Sequence, residues 1–477
     1  MGGTLHGDPV RLDLTPAATE MALAAPILEQ TYRYPFPSDV VGDRDRRLLR
    51  LATSGGPAAN PQFFRGTILQ PVVAADLLLT LGDVARSRFH VPAAMLTRIL
   101  ELADPVATCA DDRLRFEAFS ACCSVYGRVD LLPEAYDGET LGRGTTNVDF
   151  GPAMRTALAG VQDQGRLGLS VGAATVEVDT DAGSAIERKV PLPSRWLRGF
   201  LEVQAIQAEL APAAELDAAG TRTFFRSIPK SPSKRPIWVA PAGRSLRMFH
   251  HDPGQGAVGL AGLARLRLFD RVVRHATALR VFAADGDGST GWQLDIPGAR
   301  LTLVLSPEVW RGFSGEGRAL HRLADAVPAG AVAAVRGALG WEPRLGVDSL
   351  AATTRRSRDE VSGALAALAL SGIVGYDLAD GGFFRRELPF DLARVERLQP
   401  RLRDARRLVE AGAVRIETTE AAAIAGWVAA PGGVEYRVRS TADGWHCTCP
   451  WYGRHRGDRG PCKHVLAVQL VAADDPG

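Results

Sequence analysis

Apolar residues return at three- and four-residue steps over residues 15–32 and again over 66–103. In the second run Ile68, Val72, Val73, Leu77, Leu78 and Leu81 share one helical face. Gly82-Asp83 marks a break there. Pro92 opens the next helix, because a proline at the first helical position forfeits no intrahelical hydrogen bond. Residues 111–127 read as a further helix that passes into a strand over 126–132. Residues 1–145 are therefore expected to form a mainly helical N-terminal region.

The pattern changes near residue 146. Leu167, Leu169 and Val171 alternate with Gly168, Ser170 and Gly172, as in a strand with one buried face, and residues 174–179 repeat the alternation. Antiparallel sheet is expected there, followed by a helix over 194–210, with Pro212 and the alanine-rich run to Gly220 as a boundary. Further strands are expected at 238–241, 243–249, 279–283, 292–296 and 301–305, with a helix at 260–274, so that 146–318 forms an α+β body. Residues 319–392 keep a different order. Helices are expected at 331–339 and 347–353, and a third starts at Ser357, whose hydroxyl and Glu360 three residues on make a capping box. Gly372 ends that helix, and strands at 373–378 and 383–388 flank the turn at Ala379-Asp380-Gly381-Gly382. Helix, helix, helix, hairpin is the order of a winged-helix-like module. Residues 393–477 begin with a helix over 394–410 and end in a small ββα unit at 433–470. The fold class is thus multidomain α+β, with no internal repeat of 20–50 residues.

At 477 residues the chain is long enough for several domains, and 46% apolar with 23% charged residues is ordinary for a globular protein. No run of about 18 apolar residues predicts a membrane span. Asp8, Arg11, Asp13 and Glu20 interrupt any apolar leader. Six cysteines in so long a chain are no disulfide framework. Cys109, Cys122 and Cys123 read as buried thiols in apolar helical surroundings. A reducing compartment, the cytoplasm, is expected.

The chemistry sits at the C-terminal end. Cys447-Thr448-Cys449, twelve residues, then Cys462-Lys463-His464 make C-x-C-x12-C-x-H. Three thiols and an imidazole suit a closed tetrahedral zinc site, which has no open position for catalysis. The competing readings are unrelated buried thiols or a disulfide, although Cys447 and Cys449 are too close in sequence to bridge each other easily. His446 and His455 are spare imidazoles that could replace His464, but His464 has the matching spacing and a helical run, 465–470, behind it. The loop at 450–461 is rich in Gly, Pro and Arg, with little apolar material to order it without a metal.

This spacing, framed by Tyr436-Arg437-Val438-Arg439, Gly444-Trp445-His446 and Gly460-Pro461, resembles the SWIM zinc finger. Gly144–Phe150 and Glu187–Trp196 are similar to longer bacterial SWIM-containing proteins. The resemblance implies one structural zinc ion and a role in contacting DNA or protein, with no reaction. For the long relatives it also implies work beside a MoxR-type AAA ATPase and a von Willebrand A-domain protein.

Charge is uneven. Residues 221–280 hold twelve Lys or Arg and two acids, Asp252 and Asp270. With Phe224, Phe225, Trp238 and Phe249 between them, these cations describe a phosphate-binding face, or else scatter over several faces and pair with acids elsewhere. Arg226, Lys230, Lys234 and Arg235, with Arg454, Arg456 and Arg459 of the finger, are the candidate contact residues for nucleic acid or a partner. The winged-helix-like stretch 347–388 carries five arginines against six acids, and Asp359 and Glu360 would face the phosphates at its third helix, which favours protein packing over base reading. Enzyme signals are weak. Gly254-x-Gly256-x-x-Gly259 follows His250-His251-Asp252-Pro253 rather than a strand, and no Walker loop, H-E-x-x-H or G-x-S-x-G occurs. Thr145–Phe150 reads as a turn locked by side-chain hydrogen bonds. The reading is a non-enzymatic zinc-binding scaffold acting through its finger, with nucleic-acid binding as the alternative.

Overall fold

The structure is a computed structural model. It describes residues 39–41, 48–50, 62–89, 105–147, 150–189, 192, 194–230, 236–254, 256–284, 288–310, 312–313, 317, 329–388, 400–420, 423–430, 432–441, 444–457 and 459–474. The helix expected at 15–32 lies outside these residues, as does the one expected to open at Pro92.

A short hairpin, β1 (Asp39–Val41) and β2 (Leu48–Arg50), precedes the body. The body repeats one order of elements, a strand, a helix and a three-strand meander. It runs first as β3 (Gln62–Ile68), α1 (Pro71–Arg86), β4 (Val106–Cys109), β5 (Leu114–Phe119) and β6 (Val125–Leu131). After β7 (Tyr136–Thr140) it recurs as β8 (Gly144–Asn147), α2 (Pro152–Ala159), β9 (Leu167–Gly172), β10 (Thr175–Thr180) and β11 (Gly183–Arg188). After α3 (Ser194–Gln207) it returns as β12 (Ala211–Asp217) and α4 (Ala218–Ser227), with β13 (Ile237–Ala242), β14 (Ser245–Phe249) and β15 (Val258–Leu260) inserted before β16 (Ala278–Ala283), β17 (Thr290–Ile296) and β18 (Ala299–Leu305). The first two units exchange their opening strands: β3 pairs with β9, and β8 with β4. One eight-stranded sheet, β12-β16-β17-β18-β6-β5-β4-β8, therefore draws strands from both sides of residue 146, beside a five-stranded sheet β11-β10-β9-β3-β7.

Three expectations are corrected. Residues 111–127 are not helical but mostly β5, a five-residue turn and the start of β6, and the described part of 1–145 holds one long helix among strands. The sequence Leu114-Arg115-Phe116-Glu117-Ala118-Phe119 in fact alternates, yet every residue of β5 and β6 is buried, because both faces of the sheet are covered. The expected boundary at 212–220 is an edge strand and a helix capped by Asp217, whose carboxylate accepts from Gly220 N–H at 2.8 Å. The helix at 260–274 is two 3-10 stretches, Leu263–Phe269 and Val273–His275.

The two faces of the large sheet differ in kind. One carries Leu114, Phe116, Val129, Leu131, Leu301, Leu303, Leu294 and Trp292, all buried in the main apolar core with α1, and Phe224 of α4 stacks on Trp292 at 5.8 Å. The other carries Arg115, Glu117, Tyr126, Arg128, Asp130 and Arg300. These are placed side by side by the register Arg115↔Asp130, Glu117↔Arg128 and Arg300↔Asp130.

That charged face is closed from the C-terminal side. Beyond residue 328 come α5 (Ala329–Ala338), α6 (Val347–Thr354), α7 (Arg358–Leu370), β19 (Val374–Asp377) and β20 (Gly382–Arg385). The order of three helices and a hairpin is the one expected, and Ser357 and Glu360 form the capping box. The helices share their own core through Val335, Leu350, Val361, Leu365 and Val374. The hairpin, however, lies on the sheet. Asp377 is held by Arg115 at 3.0 Å and Arg128 at 2.8 Å, and Asp380 by Arg113 at 2.7 Å and Arg300 at 2.9 Å. Phe384 lies 3.5 Å under the Arg115 guanidinium, and Arg386 reaches Glu117, which also accepts the Tyr126 hydroxyl at 2.6 Å. Burial works against ionisation of Asp377, but Arg128, Arg115, Arg113 and Arg300 outweigh it and hold its carboxyl well below the usual carboxylate range.

Replacing Asp377 with Ala strands buried guanidinium groups, and a cost of about 3–5 kcal/mol is expected in chemical denaturation. Because the folded-state value of Asp377 lies below that of the unfolded chain, its contribution is present above about pH 4 and is lost as pH falls further. The stability gap between wild type and Asp377→Ala should therefore narrow in acid. An unchanged gap between pH 7 and pH 3 would refute this account of the interface.

Candidate metal centre

Residues after 399 build a second small unit. The helix α8 (Pro400–Glu410) leads into a four-stranded antiparallel sheet, β21 (Val414–Glu420), β22 (Ala423–Ala430), β23 (Val434–Thr441) and β24 (Gly444–Cys447), and α9 (Pro450–His455) and α10 (Lys463–Asp474) complete it. The unit is larger than the ββα expected. The loop expected to lack internal order contains α9, with Pro450 at its first position and Cys449 as its N-cap. On α10, Val465 and Val468 pack against Val428 and Val438 of the sheet, while Leu466 and Ala467 meet Leu402 and Ala405 of α8.

The structure brings Cys447, Cys449, Cys462 and His464 together, all buried, with one ligand atom of each within 4.8 Å of the others. Cys447 ends β24, Cys449 caps α9, and Cys462 and His464 stand at the start of α10, so two helix starts and a strand end converge. Backbone N–H groups point at the sulfurs: Cys449 at Cys447 (3.4 Å), Tyr452 at Cys449 (3.3 Å) and Val465 at Cys462 (3.5 Å). Nδ1 of His464 lies 3.8 Å from Cys447 Sγ, close to the edge of about 3.8 Å that zinc–sulfur bonds of about 2.3 Å give a tetrahedron. Nε2 is buried without a hydrogen-bond partner, and the ring is covered by Tyr436 at 4.6 Å. Crowding forces the thiols apart in acidity. Cys447 and Cys462 hold the Cys449 thiol far below its usual range, whereas Cys449 and Cys462 push Cys447 far above it. Three cysteine sulfurs and an imidazole at this separation are the donor set zinc prefers.

His446 and His455 stand outside the cluster. His446 bonds to Thr441 Oγ1 at 3.1 Å and to the Tyr452 hydroxyl at 3.2 Å, and His455 packs on Trp451 at 4.7 Å. Arg454 and Arg456 are exposed on and after α9. Arg459 is half-buried with its guanidinium over Trp310 at 5.7 Å. Its carbonyl and that of Pro461 (2.8 Å) accept from Arg401, which also stacks on Trp451 at 4.9 Å. Gly460, at φ +68°, meets Gly317 so closely that a Cβ would sit 2.2 Å from the Gly317 carbonyl oxygen, so only glycine fits.

Five arginines of the basic segment are paired with acids. Arg280 pairs with Asp295 at 3.0 Å, Arg271 with Asp83 at 3.4 Å, Arg274 with Asp76 at 2.6 Å, Arg267 with Asp270 at 2.5 Å and Arg244 with Asp217. Arg265 is buried against carbonyl groups. Arg226 and Lys230 are exposed after these pairings; Lys234 and Arg235 lie outside the described residues. His250 and His251 are exposed in the β14–β15 loop, where Asp252 accepts from Gly254 N–H at 2.8 Å, so the glycine spacing there is a turn and not the start of a helix. Thr145 and Thr146 lie in β8 and are tied down by hydrogen bonds, Thr146 to the Ala173 carbonyl at 2.9 Å; residues 148 and 149 are outside the described set.

One surface was missed. Strands β21–β23 turn Val414, Ile416, Val428, Tyr436 and Val438 toward α10, with a bulge in β21 at Glu417. The opposite face aligns Arg415, Trp427 and Arg437 in one row, by the register Arg415↔Trp427↔Arg437. Glu417 accepts the indole N–H at 2.5 Å and stands 4.0 Å from Arg415 and 3.7 Å from Arg437. Alternation of Arg, Trp and Val residues was visible in the sequence, but the row needs the strand register.

Residues 436–471 match the family model for the SWIM zinc finger, so the chain ends in a zinc-binding module of that kind. No curated protein matches the chain. Among solved structures, it is similar to the proliferating cellular nuclear antigen of Entamoeba histolytica, at 11% identity and TM-score 0.33, over 52% of this chain and 99% of that one. It is likewise similar to a PCNA2–PCNA3 complex of Sulfolobus tokodaii, at 10% identity and TM-score 0.38, over 51% of this chain and 99% of that one. Among the described residues no helix is long and apolar enough to cross a membrane.

Metal analysis should find zinc in the purified protein and its loss in Cys449→Ser and Cys462→Ser; full occupancy in both variants would exclude this ligand set. Chelation should melt the unit after residue 399 while the body unfolds at its own, unchanged transition, because metal-binding energy in such a module is folding energy. A single joint transition, shifted as a whole by chelator, would contradict that separation.

Proposed function

We propose that the protein is a non-enzymatic scaffold of the cytoplasm, holding one structural zinc ion, whose C-terminal finger recognises a partner protein. The observation that carries this reading is the outward row Arg415–Trp427–Arg437 with Glu417 beneath it. Tryptophan and arginine are the residues that most often dominate protein–protein binding energy. The carboxylate between the two arginines offsets half of their charge, which suits a mixed protein surface better than a polyphosphate. The acid pairing of the basic segment points the same way. Partners of the kind implied for long SWIM-containing proteins, a MoxR-type AAA ATPase or a von Willebrand A-domain protein, are the first to test.

Nucleic acid is the second reading, through exposed Arg226, Lys230, Arg454 and Arg456. Co-purification of the native protein with its partners, compared with Trp427→Ala and Arg437→Ala, separates the two. The variants should keep their zinc and lose the partner by at least about tenfold, the effect of a hot-spot residue. Sub-micromolar binding to DNA or RNA at physiological salt, steeply salt-dependent and lost when Arg226, Lys230, Arg454 and Arg456 are all replaced with Ala, would overturn the scaffold reading.

A further inference from the structure

Strands β13, β14 and β15 are an insertion that the first two units of the body lack, and the two faces of their sheet differ. On one face Ile237, Val239, Leu246, Val258 and Leu260 are buried in the main core, with Met248 packed against it. The alternate residues turn the other way. The register Phe249↔Trp238↔Gly259 sets two aromatic side chains and a glycine in one row across the three strands, and Ala240↔Arg247 begins the next row. Trp238 and Phe249 are half-buried and Arg247 is exposed. The Trp238 indole leans over Gly259, where a Cβ would lie 3.4 Å from its Nε1. Of its neighbours on that face, Gly259 and Ala240 are too small to cover the ring.

Charge points to the occupant. Residues 221–260, which lead into this sheet and build it, carry seven Lys or Arg against one acid, Asp252. Arg244 is paired with Asp217, and Asp252 is taken up by the Gly254 N–H. Arg222, Arg226, Lys230 and Arg247 have no acidic partner among the described residues. The helix α4, which carries Arg222 and Arg226, packs against β14, and Ser245 Oγ donates to the Gly220 carbonyl at 3.1 Å. A sheet face with aromatic rings and unbalanced cations suits a polyanion whose units have flat apolar faces. In a duplex those faces are already stacked on one another, so the chain must be single-stranded.

We propose that the outward face of β13–β15 binds single-stranded nucleic acid, with unpaired bases stacked on Trp238 and Phe249 and a phosphate held by Arg247. Stacking reads no particular base, because every base has a π-face, so the site is tolerant of sequence. Few rings and few cations meet the strand, and the affinity belongs in the micromolar range. The site is separate from the row Arg415–Trp427–Arg437 and does not rest on the reading of that row. A strand bound here leaves the finger free for its protein partner.

The test uses full-length, zinc-loaded protein titrated into fluorescein-labelled oligothymidylate, and into the same strand paired with oligoadenylate. Binding is read by fluorescence anisotropy from about 50 to about 200 mM salt. The single strand should bind at least about tenfold tighter than the duplex, since only it offers free base faces. Trp238→Ala should weaken single-strand binding at least about fivefold, the loss of one stacked base, and Trp238→Phe should stay within about twofold of wild type. Trp238→Leu keeps an apolar side chain over Gly259 and should bind as weakly as the alanine variant, which separates stacking from a failure to fold. Arg247→Ala should make the slope of log affinity against log salt shallower by about 0.7, the share of one phosphate contact on a single strand. Equal affinity for single strand and duplex, no binding of the single strand, or wild-type affinity in Trp238→Leu would overturn the proposal. So would polyglutamate that binds as tightly as the oligonucleotide and is lost in the same variant, because the face would then belong to an acidic protein.

Discussion

The architecture turns on one constraint, the charged face of the eight-stranded sheet. Arg115, Arg128 and Asp130 are fully buried on strands whose other face already packs the apolar core. Buried charges are tolerated only when paired and hydrogen-bonded. The pairing is incomplete within the sheet, where Asp130 alone must face Arg115 and Arg128. The β19–β20 hairpin brings Asp377 and Asp380, and Arg386 follows it to Glu117. Any other seating of the hairpin leaves several guanidinium groups desolvated and unpaired, so the geometry specifies the docking as much as it stabilises it.

That docking decides what the helix–helix–helix–hairpin segment is free to do. Its hairpin is spent on the sheet, with Phe384 flat against Arg115. Its third helix, α7, packs on α3, where Gln204 reaches the Tyr376 backbone N–H. Of the elements that such a segment would offer to a DNA groove the hairpin is covered, while Ser357, Arg358 and Asp359 at the start of α7 are exposed. The finger carries its own outward row of Arg415, Trp427 and Arg437.

Much of this was legible from residue order where the determining contacts are local. The capping box of Ser357 and Glu360, the strands from 167 to 180 and the cysteine–histidine spacing each depend on neighbours a few residues apart, or on a pattern repeated within one strand. The misreadings have the opposite character. β5 and β6 alternate with period two, but their polar positions are buried by residues more than 240 positions away, so no half-exposed strand is announced. The twelve cations of 221–280 were counted within their own window, whereas Asp76, Asp83, Asp217 and Asp295, which pair with four of them, lie outside it. Charge balance in this chain is a property of the tertiary structure.

The finger is tied to the body by contacts that lead directly into its metal cluster. Arg459 lies over Trp310 of the body, and within the finger unit Arg401 of α8 binds the carbonyls of Arg459 and Pro461, the residue before Cys462, and stacks on Trp451, two residues after Cys449. Gly317, against which Gly460 is pressed, donates its N–H to Glu202 of α3 at 2.8 Å. The same α3 supports the docked hairpin through Gln204 and Phe200, the latter under Arg386 at 4.6 Å. A ligand set that positions Cys462 thus also positions Pro461 and Gly460, and through them the seat of the finger on the body. The outward row on β21–β23 is carried on the same sheet that ends in Cys447. Its presentation to a partner therefore depends on two closures at once: the thiol and imidazole cluster that joins sheet to helix, and the contact of Gly460 with Gly317 that joins finger to body.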